Sequence, residues 1–324
     1  REDAAALAAV KRNHPRLRTI VFGAHPTFMP EATLALEGID LLVRREPEGI
    51  VRDLFRSWEG EGWKAVPGIG YRENGKPVLN GWYPFLDDLD PLPVPARDLL
   101  PPTVHYYNPV VKRMPFTTMS TSRGCPGRCT YCTSPPFYGQ RYRFQSAARV
   151  LEEMARVARE GYREVFFRDE IFTGSRPRVR EICEGILRQG IDLSWIASAR
   201  VGSVDRELLA LMRRAGCHMV RSGVESGSQE VLDAVHKGIT LEEIRETFRW
   251  TRELGLDTHG HFMVGMPGDT EKTLVRTRKF ILEIRPTILT CGICTAYPGT
   301  QLFELVRQRH PEAGDGSGQD ISRL

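Results

Sequence analysis

The sequence predicts an α/β protein in which six β/α units curl into a partial barrel, preceded by a shorter parallel α/β unit. Three features predict it. From Phe116 onward, strand patterns recur near 116–122, 163–169, 192–199, 218–224, 257–264 and 287–295, and each but one is followed directly by a helical pattern. The first 60 residues alternate helix and strand patterns as well. Between the two regions, glycine and proline are too dense for regular structure.

In chain order, Glu2 to Lys11 is helix-like, and a chain opening on Arg1 inside such a stretch reads as a fragment. Arg18-Thr19-Ile20-Val21-Phe22-Gly23 is a β-branched run ending in glycine; a helical Pro30 to Leu36 follows, and Ile39 to Val43 makes the next strand. Gly60, Gly62, Gly68, Gly70 and Gly75, then Pro84, Pro91, Pro93, Pro95, Pro101 and Pro102, mark a connector. The expected organisation is therefore 1–60, a linker at 61–115, a barrel at 116–310 and a flexible or truncated end at 311–324. Ligands of such a barrel gather at the carboxyl ends of its strands.

Composition narrows the function. Hydrophobic residues make up 41% and charged residues 27% of the 324, the balance of a globular chain of about two domains. The net charge of +4 comes from 45 basic and 41 acidic residues scattered along the chain, so no basic field for nucleic acid is evident. No apolar run approaches the roughly 20 residues of a membrane-crossing helix, and Arg1-Glu2-Asp3-Ala4 opens no signal peptide, so the expectation is cytoplasmic. Seven cysteines, three of them within eight residues, fit metal ligation in a reducing compartment better than disulfides.

Those three are Cys125-Pro-Gly-Arg-Cys129-Thr-Tyr-Cys132, directly after the first barrel strand. The spacing C-x3-C-x2-C can wrap three corners of a cubane cluster, with Gly124 and Gly127 allowing the tight backbone and one iron left open. An open iron can chelate the amino and carboxylate groups of a ligand and pass one electron to a bound sulfonium. The competing reading is structural zinc, which wants a fourth ligand; His105 is 20 residues upstream and Cys183 sits in a helical stretch. Cys291 and Cys294 are three apart on a strand and face opposite sides, so they read as structural.

A C-x3-C-x-aromatic-C motif after the first strand of a six-fold β/α repeat resembles the radical S-adenosylmethionine (SAM) superfamily, over residues 116 to about 305. The resemblance implies a partial (β/α)6 barrel, a [4Fe-4S] cluster on the three cysteines, and SAM as cosubstrate. It places Tyr131 beside the adenine. Asp169 and Glu170, in Phe166-Phe167-Arg168-Asp169-Glu170, fall where the family holds the methionyl amino group, and two acids can bind an ammonium; a helix N-terminus competes as the reason for Glu170. Ser198 and Arg200 match positions contacting the ribose or carboxylate, and Arg200 suits a carboxylate clamp. Glu225 ends the fourth strand, and Lys237 lies 12 residues on, where a basic side chain meets the cofactor carboxylate. His261, and Gly265 in Gly-Met-Pro-Gly, resemble the turn beside the adenine; His259 and His261 share one side of the strand, where each reads first as a satisfied core or rim histidine.

The N-terminal region, with Ile20 to Thr27 and Asp40 to Glu48, resembles the second half of the Rossmann-like cobalamin-binding domain that often precedes this barrel, and Leu89 to Leu100 resembles that subgroup's linker. The likeness implies cobalamin at Gly23, Ala24, His25 and Glu46, with the first strands and any cobalt-ligating histidine upstream of Arg1. An ordinary parallel-sheet loop is the competing reading. No cysteine precedes Cys125, which removes a methylthiotransferase with a second cluster. The implied activity is cobalamin-dependent methyl transfer to a carbon centre of a small-molecule or peptide substrate, with an electron donor such as flavodoxin or ferredoxin. Oxidative cyclisation or rearrangement without methyl transfer, and a non-enzymatic zinc or cobalamin module, are the alternatives.

Overall fold

Short aliphatic runs make the first sheet. Ile20–Phe22 (β1) and Leu41–Val43 (β2) pair in parallel, Ile20 opposite Leu41, and their side chains pack with Ile50 and Leu54 of the helix Pro47–Arg56. Ile69–Glu73 (β3) adds to β2 antiparallel, and Lys76–Leu79 (β4) adds to β3. These two strands lie within the stretch expected to be an irregular connector. The reason is the Asn74-Gly75 pair: both residues take positive φ (50° and 78°), the two-residue turn that joins antiparallel strands without splaying them. Glycine density there marks a hairpin as well as a linker.

The computed structural model describes residues 2–101 and 106–309. His105 and the expected end at 311–324 lie outside the described residues. The chain divides into two units. The first runs to Asp87 and takes in Thr130–Gly139 and the chain from Ala296 on; the second comprises Asp88–Cys129 and Gln140–Thr295.

In the second unit, Phe116–Met119 (β5) is followed by a two-stranded antiparallel ribbon, Ser122–Arg123 (β6) with Arg143–Phe144 (β7). Then come Glu164–Phe167 (β8), Ser194–Ser198 (β9), Cys217–Glu225 (β10), Asp257–Val264 (β11) and Ile288–Ile293 (β12). Six of these form one parallel sheet in the order β12-β11-β10-β9-β8-β5, the succession expected of six β/α units.

Strand alternation sorts the side chains into two faces. Val165, Phe167, Trp195, Ala197 and Val220 point outward, onto the buried sides of the helices Ala147–Arg159, Arg176–Gln189 and Arg206–Arg214. Phe166, Ile196 and Met219 point inward, where Phe116 from one edge strand and Ile288 from the other reach the same cluster, so the sheet curls around them. Helix starts are fixed locally: Ser146 accepts from Arg149 N–H, Asp205 from Leu208 N–H, and Thr240 and Glu243 form a reciprocal pair. Among the described residues no helix is long and apolar enough to cross a membrane.

Gly216 makes the entry to β10 possible. Its φ is +97°, and a Cβ there would stand 2.4 Å from the Leu193 carbonyl oxygen, a backbone atom that cannot swing aside. Gly216→Ala is expected to cost about 3 kcal/mol, lowering the thermal midpoint by at least about 5 °C. An unchanged circular-dichroism melt would show that the β9–β10 junction relaxes freely.

Candidate active site

The loop carrying the three cysteines leaves β6 and returns through β7, so the ribbon pins its base. Gly124, the residue before the first cysteine, has φ +85°, a conformation open cheaply only to glycine. Gly127 N–H donates to Cys125 Sγ at 3.4 Å, and Ser134 N–H donates to Cys132 Sγ at 3.4 Å, bonds that favour sulfur as thiolate. A Cβ on Gly127 would meet Cys125 Sγ at 3.2 Å and Cys129 Sγ at 3.8 Å, so both sulfurs flank a cradle that a side chain there would crowd. Cys132 and Tyr131 belong to the Thr130–Gly139 segment of the first unit. Among the described residues no three His, Cys, Asp or Glu side chains gather around one point as the ligands of a single ion would. Cysteines strung along one loop suit a cluster that takes one thiolate per iron.

The electrostatics of the loop bring in the neighbouring strand ends. Burial raises the Cys125 thiol pKa; the Gly127 N–H and Arg200 work against that rise, while Cys129 and Glu170 add to it. Glu170, after β8, is exposed. Arg200, after β9, lies with Nη1 3.6 Å from the point a Gly127 Cβ would occupy, and its Nη2 donates to the carbonyls of Lys237 and of Gly238, the latter at 3.0 Å. One edge of its guanidinium is thus tied to backbone, which narrows the two-pronged carboxylate clamp expected from its sequence position.

At the end of β10 the backbone is strained on purpose. Glu225 sits at φ +67°, after a shift in the β10–β11 register, and receives Lys237 Nζ at 2.7 Å. Both side chains are nearly buried, at 10% and 11% exposure. Gly223 is what lets them meet: a Cβ there would stand 2.3 Å from the Glu225 carboxylate and 2.9 Å from Lys237 Nζ. Gly265, at φ +78° just beyond β11, has nothing within 4 Å of its would-be Cβ, so the rim is open there. Ser198 ends β9 beside Arg221. Cys125, Cys129, Glu170, Ser198, Arg200, Glu225, Lys237 and Gly265 therefore all lie at the carboxyl ends of the sheet.

Two expectations are redirected. Asp169 is 3% exposed and spends both oxygens on Thr121, accepting from its N–H and its hydroxyl at 2.6 Å each. Arg178 closes the assembly by donating to the Thr121 hydroxyl at 2.7 Å and to the Gln145 carbonyl. Asp169 braces the chain just after β5 against the end of β8, and its burial together with the two Thr121 bonds sets it apart from an acid that faces a ligand. His261 is held by neighbours of its own: its ring packs on His259 with centroids 4.1 Å apart, and both rings bond Thr290 Oγ1. Thr121 and Arg178 escaped sequence reading because a brace of this kind has no spacing of its own. Of the other cysteines, Cys291 is exposed, while burial pushes the Cys294 thiol up to about 11.

In the first unit, Gly23 has φ +122° and open space where a Cβ would stand; Ala24 and His25 begin the helix Ala24–Phe28. The Arg45 N–H donates to Thr27 Oγ1 at 2.8 Å, which brings the loops after β1 and β2 together. Buried Glu46 starts the helix Pro47–Arg56 on the same edge. Gly23 thus leaves open space on the edge where these loops meet.

A model of the Radical SAM superfamily matches residues 119–281. An uncharacterized methyltransferase from Pyrococcus horikoshii is 34% identical over 306 residues, 93% of this chain and 66% of that protein. An anaerobic magnesium-protoporphyrin IX monomethyl ester cyclase from Cereibacter sphaeroides is 28% identical over 305 residues, 91% of this chain and 49% of that one. Among solved structures, the radical SAM methyltransferase TsrM from Kitasatospora setae, with cobalamin and a [4Fe-4S] cluster bound, shares the fold at a TM-score of 0.78 and 21% identity, over 96% of this chain and 64% of that chain. The chain thus spans between about half and two-thirds of the length of these proteins.

Proposed function

The chain belongs to the radical SAM superfamily, and from that premise we propose that it cleaves SAM reductively at a [4Fe-4S] cluster held by Cys125, Cys129 and Cys132, as part of a cobalamin-dependent methyltransferase acting on a carbon centre. The convergence of Glu170, Arg200 and the cysteine loop at one end of a parallel sheet carries the reading. When bound, the cluster supplies one electron to the SAM sulfonium. Everything else falls to the protein, which must bind and orient the cosubstrate and exclude water.

Glu170 offers a carboxylate for the methionyl ammonium. Arg200 Nη1 and Lys237 would take the carboxylate, Lys237 while bonded to Glu225. Ser198 serves the ribose, and Gly265 the adenine, where the absence of a Cβ admits a ring. Gly23, Ala24, His25 and Glu46 line the edge proposed for cobalamin. The substrate is a small molecule, the electron donor a flavodoxin or ferredoxin, and the setting a reducing cytoplasm that spares an open iron from oxygen.

Methyl transfer is supported by the 34%-identical relative named a methyltransferase. The cyclase relative favours a second reading, oxidative ring closure without methyl transfer. Product mass separates them. With the full-length protein under anaerobic conditions, methylation is expected to add one CH2 to the product and release S-adenosylhomocysteine; 5′-deoxyadenosine without S-adenosylhomocysteine would overturn it in favour of cyclisation.

A further inference from the structure

Above the apolar floor of Phe166, Ile196 and Met219, the inner face of the curled sheet turns cationic. Arg168 and Arg221 stand two positions beyond Phe166 and Met219, hence on the same face. Their guanidinium carbons lie 5.1 and 4.9 Å over one ring, that of Phe166. Neither makes an ion pair with a carboxylate among the described residues, and burial together with Arg168 works against the charge on Arg221. Arg221 Nε is buried without a partner, as is His259 Nδ1.

Arginine can only donate, so Arg221 Nη2–H donates a hydrogen bond to His261 Nε2 at 3.1 Å, and His261 Nδ1–H then donates to Thr290 Oγ1 at 2.6 Å. With its pKa near 4, lowered first by burial and then by His259, His261 is neutral and leaves the cationic charge to the arginines. Gly292, two residues beyond Thr290, has open space where a Cβ would be, leaving room over this part of the wall. A half-buried guanidinium without a counter-charge is unfavourable, and an anion entering the layer removes that cost.

We propose that Arg168 and Arg221, braced by His261 and Thr290, form a seat for an anionic group of the substrate, a carboxylate or a phosphate, distinct from the carboxylate of SAM held by Arg200 and Lys237. The inference rests on the proposed radical SAM reading and names its substrate class. Two guanidiniums within about 5 Å of the centre of one aromatic ring bring together forked donors that suit either anion.

Anaerobic calorimetry on the iron–sulfur-reconstituted chain tests it, with inorganic phosphate, succinate and SAM titrated separately. Wild type is expected to bind phosphate or succinate, the tighter of the two identifying the group. Arg168→Gln and Arg221→Gln are each expected to weaken that binding about tenfold or more and to leave SAM affinity within about twofold. Arg168 is exposed, so its variant keeps the test valid if Arg221→Gln folds poorly. Failure of wild type to bind either anion at millimolar concentration, unchanged anion binding in Arg168→Gln, or a parallel loss of SAM affinity would each overturn the seat. Failure of wild type to bind SAM would instead count against the radical SAM reading, and the anion titrations remain readable without it.

Discussion

A Cys129→Ala chain is expected to lose its iron and, with it, SAM cleavage. Each of the three thiolates would hold one corner of the cluster and the fourth iron would have no protein ligand, so removing Cys129 would leave two anchors. Cys125 and Cys129 share the cradle at Gly127, so removing either sulfur opens the same side of the loop. After anaerobic reconstitution, wild type should carry about four irons per chain and the variant fewer than about one. Formation of 5′-deoxyadenosine under reductant should fall by at least about 1,000-fold, ~4 kcal/mol of barrier. Cys291→Ser is the control, because Cys291 is exposed on the sixth barrel strand and takes no part in the loop. Cys183 and Cys217 are fully buried, and burial pushes the thiol of Cys183 up to about 12, the behaviour of wall packing rather than of ligands. A Cys129→Ala chain that kept its iron and its cleavage would sink the cluster assignment.

Much of this was legible because it rests on periodicity. Six parallel strands were readable from hydrophobic runs and their intervening helices, and they stand within a few residues of where those runs put them. The cysteine loop was legible because ligand spacing is a local property. The hairpin at Asn74-Gly75 was legible in principle too, since the pair is a turn signal in its own right, but it was submerged in a count of glycines and prolines. What local pattern could not give is the inside of the barrel. Arg168 and Arg221 are 53 positions apart by their numbering and meet only because their strands curl around Phe166. Nothing in either flanking sequence distinguishes an inward arginine from a solvated one. His261 illustrates the same limit: its place on the strand was readable, but its tautomer is set by Arg221 on β10 and its second partner is Thr290 on β12.

The two adjacent acids after β8 give the sharpest division between scaffold and chemistry, and Asp169→Asn and Glu170→Gln are expected to behave oppositely. Asp169 accepts two hydrogen bonds from Thr121, one from the peptide N–H and one from the hydroxyl, whose own oxygen is occupied by Arg178. Burial raises its pKa and the Thr121 bonds oppose that rise. An amide in its place puts an NH2 against a hydroxyl already committed as a donor, leaving a buried mismatch and an Arg178 guanidinium stripped of its nearby charge. The expected cost is about 3 kcal/mol, seen as a lower denaturation midpoint, with SAM affinity of the folded protein within about twofold of wild type. Glu170 is exposed and bears on Cys125 electrostatically. Glu170→Gln should leave the midpoint unchanged and weaken SAM binding about tenfold, the loss of one charge-assisted bond to an ammonium. If Asp169→Asn instead lost SAM affinity at full stability, the brace would be the ligand and the two roles would have to be exchanged.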